Sequence, residues 1–299
     1  MNKSSKISVG GQALIEGIMM RKKNTISMAV RLLNGEIDIE TFKIDFLEKI
    51  KWYRKIPILR GIIEMIVSFA VGYKCLLKSA EKLGLDENEN EKEKSEKNSK
   101  FFNFLGLLSA FFGVFLTIAI FMFLPSFAVK NISKFLFFNN FFKVLLEGLI
   151  KILIFILYIL FISKLKDIKK TFQYHGAEHK AIFCFEYGLN LTVENVKKQK
   201  RFHPRCGTNF IFIVLAVSIF MFSILSWKNL FFRVILKFLM LPLVTGFSYE
   251  IIKIAGKDES KLAKIFVAPG LMLQRITTKE PDDKQIEVAI AALKEALKN

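Results

Sequence analysis

His175 and His179 stand four residues apart with Glu178 beside the second, in Tyr174-His175-Gly176-Ala177-Glu178-His179-Lys180. On a helix this spacing puts two imidazoles one turn apart on one face. Neutral imidazoles so placed can grip one divalent ion. The order His-x-x-Glu-His is that of the inverted zincins, whose histidines hold zinc while the glutamate activates a bound water. Glu186, eleven residues past His175, returns to nearly the same azimuth and offers a carboxylate. A second group, His203-Pro204-Arg205-Cys206-Gly207-Thr208, places an imidazole and a thiol three apart on a turn set by proline and glycine. Imidazole and thiolate both suit zinc at neutral pH. The expected ligands are therefore His175, His179 and one of His203 or Cys206, with Glu178 as general base and Arg205 facing developing negative charge. Glu16 and Glu250 are further carboxylates that could enter the site. The chain has only three histidines, and all of them fall in this stretch.

The same residues admit other chemistry. Four protein ligands would close a structural site, whereas an enzyme keeps one position open for water. Cys206, at a helix N-terminus beside Arg205 and His203, is also a candidate nucleophile of a cysteine-dependent enzyme. Two histidines at helical spacing also occur by chance on surfaces, and the second His/Cys turn is what raises the metal reading above that level. No phosphate loop is present: Gly10-Gly11 lacks the Gly-x-x-x-x-Gly-Lys-Ser/Thr pattern.

The elements that must position these residues are largely apolar. Of 299 residues 52% are hydrophobic, beyond ordinary soluble composition. A helix needs about 20 apolar residues to cross a bilayer core, and four segments qualify: 101–124, ending at Pro125, 144–163, 210–227 and 231–254. Glu147 and Lys151 in the second are spaced to pair on one helical face. Glu250, near the end of the fourth, is costly in a membrane unless paired and is a functional candidate for that reason. The fold class expected is a mainly α, polytopic membrane protein with about four transmembrane helices and a small N-terminal β-hairpin/α cytosolic part. The net charge of +18 concentrates before the first span and in the loop 164–209. The positive-inside rule then puts both termini and that loop in the cytosol, in a cytoplasmic membrane, and makes nucleic acid an unneeded partner. Cys75, Cys184 and Cys206 would be reduced thiols on this topology.

Outside the spans, 1–85 reads as a cytosolic hairpin followed by an amphipathic helix. Ile26, Met28, Val30 and Leu32 alternate, Asn34-Gly35 suits a two-residue primed turn, Ile37 and Ile39 resume, and Arg31 would face Asp38. The parity change at Phe42 and Ile44 predicts a bulge or the end of pairing. Ile58, Ile62, Met65, Phe69, Tyr73, Leu76 and Ala80 recur at helical spacing, too interrupted by charge to cross easily, and predict a helix on the membrane surface or against other helices. The segment 86–100 has no apolar residue and predicts a solvated, disordered linker. In 255–299, Pro281-Asp282-Asp283 fits a helix start, and Ile286, Ala289, Ile290, Leu293 and Leu297 form a stripe expected to pack on the cytosolic part.

Gly10-Gly11-Gln12-Ala13-Leu14-Ile15-Glu16-Gly17-Ile18-Met19-Met20-Arg21, the His175–His179 and His203–Thr208 motifs, and Pro269-Gly270-Leu271-Met272-Leu273-Gln274-Arg275-Ile276-Thr277-Thr278 resemble the hallmark segments of the YqhQ-like bacterial membrane proteins. The resemblance implies a multispanning protein and a metal-dependent enzyme of no stated substrate. It also draws Gln12, Glu16 and Arg21 toward a site, although a glycine-rich entry into the hairpin explains the same residues. The function expected is a membrane-integral, cytosol-facing, zinc-dependent hydrolase acting on a lipid-linked or membrane-protein substrate at the bilayer surface. The alternatives are a non-catalytic membrane scaffold with a structural metal, a transporter, and the cysteine-dependent enzyme.

Overall fold

A computed structural model describes residues 9–44, 51–84, 108–109, 111–255 and 261–298. The linker 86–100 and most of the start of the first expected span lie outside these residues. Four antiparallel strands open the chain, β1 (Val9–Leu14), β2 (Gly17–Lys22), β3 (Thr25–Arg31) and β4 (Ile37–Lys43), paired in sequence order. Helix α1 is Leu59–Lys82, and the apolar helices α2 (Phe111–Phe135) and α3 (Asn140–Ile162) follow. Next come α4 (Lys166–Glu186), the short α5 (Val193–Lys197), α6 (Gly207–Phe222), α7 (Leu230–Ala255), α8 (Lys261–Thr277) and α9 (Asp283–Lys298). The described chain is thus mainly helical with a small N-terminal sheet.

The sheet is larger than a hairpin because the glycine-rich motif itself supplies β1 and β2, turning tightly at Ile15-Glu16, where Glu16 takes φ 49°. Two layers cover it. Ile18, Met20 and Ala29 join a core with Tyr174, Ala177 and Ala181 of α4 and Ile286, Ala289 and Leu293 of α9. Met19, Met28 and Val30 face a second core with Val67, Val71 and Cys75 of α1. Burial on both faces removes the need for alternation, and β2 and β3 accordingly read as nearly continuous apolar runs.

Several local expectations are corrected by the tertiary context. The hairpin link runs from Leu32 to Glu36, with Gly35 N–H donating to the Leu32 carbonyl and Gly35 at φ 89°. This is a turn centred on Leu33-Asn34 followed by a left-handed glycine, which accommodates the strand twist with a longer loop. Arg31 stands opposite Ile37, and Asp38 opposite Val30. Arg31 instead reaches Glu287 of α9 at 2.7 Å, and Asp38 pairs with Lys82 of α1. Pairing continues without a bulge and ends at Thr25↔Lys43; the parity change is accommodated because both faces of the sheet are covered, Ile37 packing on the α4/α9 core and Phe42 and Ile44 on the α1 core. In α1 the packed face is Val67, Val71, Cys75 and Ser79, while Phe69 and Tyr73 of the expected stripe are 71% and 64% exposed.

Among the described residues three helices, α2, α3 and α7, are long and apolar enough to cross a membrane. The expected third span is shorter than read: α6 ends at Phe222 and has 16 residues. The polar stretch Ser226-Trp227-Lys228-Asn229 then turns the chain into α7, whose Phe232 N–H is capped by Asn229. Pro125 does not end the first span. A single π-turn at Ala119–Phe123 precedes it and absorbs the missing amide, so α2 continues to Phe135. Glu147 does not pair with Lys151 one turn away; its oxygens meet Arg233 and Lys237 of α7.

Candidate metal centre

Helix α4 lies against the edge strand β1 and against α9, so its middle turns are buried and its register is fixed by Tyr174, Ala177 and Ala181. One turn of that helix presents His175 and His179 with ring centroids 4.4 Å apart. The chain then leaves through α5 and returns at Cys206, the N-cap of α6. The ligand atoms of His175, His179 and Cys206 lie within 4.8 Å of one another, and His175 Nε2 is 3.2 Å from the Cys206 sulfur.

Backbone carbonyls fix both imidazoles. His175 Nδ1 lies 2.9 Å from the Thr277 carbonyl, and His179 Nδ1 meets that of Arg201. A carbonyl oxygen can only accept, so each Nδ1 carries the proton and each Nε2 presents a lone pair. For His179 that Nε2 is buried and has no hydrogen-bond partner. Burial also holds the His179 imidazole toward its neutral form. Thr208 N–H and Oγ–H approach the Cys206 sulfur at 3.4 and 3.3 Å and hold its orientation at the start of α6.

Thr277 reaches His175 because the link after α8 crosses α4 at Gly176. A Cβ there would collide with the Lys279 carbonyl, and Lys279 N–H in turn donates to Phe172 O at 2.8 Å. Glu178, on the flank of the same helix, is packed against Gly11 of β1, where a Cβ would come within 2.9 Å of its carboxyl carbon. Burial pushes the Glu178 carboxyl above the usual carboxylate range; His175, His203 and the Gly11 amide oppose it in part.

His203 stands outside the three-ligand group. Its ring is 5.7 Å from that of His179, Nε2 is 3.4 Å from Glu186, and Nδ1 accepts from the Arg205 amide. Glu186 also pairs with Arg205. Burial raises the Glu186 carboxyl, but the His203 and Arg205 contacts outweigh it and leave it below the usual range. Glu16 accepts from Tyr174 at 3.2 Å and Lys170 at 2.6 Å, at the sheet end of α4. Glu250 is bound by Arg60 at 2.6 Å and by Ile58 N–H, tying the start of α1 to α7.

Two residues that the sequence did not single out shape the site. Gln274, fully buried in α8, clamps the His203 backbone by accepting from its N–H at 2.7 Å and donating to its carbonyl at 2.8 Å. Thr277, one turn on, supplies the carbonyl to His175. Their only signal was membership of the Pro269–Thr278 motif, which carries no metal-ligating residue type. A cavity of about 510 Å³, lined by Gly11, Gln12, Arg21, Glu64, Ser68 and Tyr249 among others, opens on the α1 side of β1.

The described residues form a mainly helical chain with three apolar helices of spanning length and a His/His/Cys group in which His179 and Cys206 are buried and His175 half-buried. The chain belongs to the family described as protein of unknown function (DUF1385), which matches residues 56–299. It is also 38% identical over 297 residues to the uncharacterized protein YqhQ of Bacillus subtilis (strain 168), a match covering 97% of this chain and 92% of that protein. No solved structure matches.

Proposed function

We propose that this is a membrane-integral metal-dependent hydrolase in which His175, His179 and Cys206 hold a divalent ion, zinc by the chemistry of its donors. The observation that carries the reading is the partnerless, buried Nε2 of His179, set beside His175 Nε2 and the Cys206 sulfur with both imidazole tautomers fixed by carbonyls. Outer hydrogen bonds of this kind orient metal-binding histidines. Two imidazoles and one thiolate leave a fourth tetrahedral position, and a bound ion would supply an activated water there. Glu178, beside His179 in the His-x-x-Glu-His order and with its carboxyl raised by burial, is the proton acceptor of this reading. Arg205 and Glu186 stand at the exposed rim, where an oxyanion of a carbonyl or phosphoryl substrate would be met.

Crossing parity supports a site on the cytosolic side with both ends of the chain there. The sheet, α4 and α9 share one core, so they lie on one side of the bilayer. Between α4 and α9 the span α7 must be matched by a second crossing, and α6 is the apolar helix available, ~24 Å long at 1.5 Å per residue. Lys and Arg between 164 and 209 favour the cytosol for that side. A lipid-linked or membrane-protein substrate fits a site at this depth.

The test is metal content by elemental mass spectrometry on detergent-purified wild type, the His175→Ala/His179→Ala double variant and Cys206→Ser, each checked for folding. One equivalent of zinc in wild type, lost in both variants, is expected. Folded wild type that takes up neither zinc nor manganese would remove the metalloenzyme. A second reading, a closed structural site, draws on the nearness of His203 to His179. X-ray absorption giving four protein ligands and no exchangeable water would favour it.

A further inference from the structure

At the other end of α6 from Cys206, three basic side chains and one acidic side chain are buried together among the apolar helices. Glu147 of α3 is 3% exposed, Lys151 of α3 8%, Arg233 of α7 1% and Lys237 of α7 0%. Both oxygens of Glu147 are taken: Arg233 holds one at 3.0 Å, while Lys237 and the Ser126 hydroxyl hold the other. Arg233 also stacks on Trp227, 3.9 Å from its centroid, and its Nε has no partner. Lys151, one turn beyond Glu147, has no carboxylate among the described residues. Its ammonium lies 5.2 Å from the Phe222 ring centroid, with Lys237 at 5.7 Å from the same centroid.

A ring face offsets only a small part of what a buried ammonium loses on leaving water. One carboxylate cannot neutralise three cations, and intramembrane charges are retained where they meet a partner. An apolar groove of about 410 Å³ lies beside this cluster along the same helices, lined by Thr117, Phe121 and Met122 of α2 and Phe238 and Leu241 of α7. Met122 lies one turn from Ser126, and Leu241 one turn from Lys237. The groove therefore runs from the basic cluster along the bundle toward the end that carries the His/Cys group.

We propose that Lys151, Lys237 and Arg233 form a binding site for one oxyanion, the phosphate of an anionic phospholipid whose acyl chain occupies the groove between α2 and α7. A phosphodiester brings a second negative charge beside Glu147, reducing the excess charge of the three cations to one, with oxygens that accept hydrogen bonds from ammonium and guanidinium groups. The acyl chain fills apolar space that water cannot. The site is separate from the metal centre by the length of α6, and neither depends on the other.

Wild type and Lys151→Gln, delipidated and reconstituted in nanodiscs, test this through the unfolding midpoint in phosphatidylcholine, in phosphatidylglycerol, and in phosphatidylcholine with inorganic phosphate. Phosphatidylglycerol should raise the wild-type midpoint by about 5 °C, and Lys151→Gln should lose that increment. Lys151→Gln should be at least as stable as wild type in phosphatidylcholine, since it removes an unneutralised buried cation. An increment produced equally by inorganic phosphate supports the oxyanion site and assigns it to the free ion. No increment in either anion, or an increment that persists in Lys151→Gln, overturns the proposal.

Discussion

At the scale of single residues, the two glutamates beside the histidines are set apart by environment. Glu178 is enclosed, and its carboxyl is held above the usual range by burial. Its folded state therefore binds a proton more tightly than the unfolded chain does. The stabilisation is full below the unfolded pKa and is lost as pH rises through the folded one. In metal-stripped protein, Glu178→Gln should gain thermal stability over wild type, and the gain should grow as pH rises above the ordinary carboxylate range. Glu186 carries the opposite sign, because its carboxyl is held low by His203 and Arg205. Its contribution is present above the unfolded pKa and fades as pH falls through the folded one, so Glu186→Gln should cost stability at neutral pH and almost none at roughly pH 3. Melting curves of both variants across pH check the pair; a pH-independent difference for either would contradict its assignment.

At the scale of elements, the candidate metal centre is a junction of three: α4 gives the histidines, the N-terminus of α6 gives the sulfur, and the end of α8 gives the carbonyl that orients His175. Gly176 is what lets the third approach the first. Gly176→Val should push the segment around Lys279 off α4, with a loss of about 2–4 kcal/mol. Zinc affinity should fall about 10–100-fold with all three ligands still present. Unfolding curves and competition against a chromophoric chelator measure the two effects, and unchanged affinity would show that Thr277 does not orient the site. Residue spacing made α4 readable, since His175 and His179 are neighbours on any helix. It could not make Gln274 or Thr277 readable, because their contacts run to residues 71 and 102 positions away and use an amide and a main-chain carbonyl.

At the scale of the whole molecule, the sheet, α4 and α9 share one core, and the proposed topology therefore requires an even number of crossings between them. Single cysteines at Lys134, in the last turn of α2, and at Lys228, before α7, should react with a membrane-impermeant maleimide from one face only. A cysteine at Lys284 in α9 should react from the opposite face. Labelling of all three positions from the same side would remove the even-crossing arrangement. Helix α1 packs one face on the sheet and leaves Phe69 and Tyr73 exposed, an apolar face that the proposed topology would set against the bilayer surface.

The sequence by itself determined the apolar helices, the terminal stripe of Ile286, Ala289 and Leu293, the β3–β4 hairpin, and the candidate ligands with their donor chemistry, because each is written in local period or residue type. Tertiary structure decided the rest. Burial on both faces of β2 erased the alternation that would have announced a four-stranded sheet. Glu147 took Arg233 and Lys237 rather than Lys151, since a buried carboxylate is satisfied by whichever cations the packing brings to it, not by the nearest in sequence. Cys206 joined the two histidines, while His203 faced Glu186, only because the α8 link and Gln274 hold that turn in one orientation over α4.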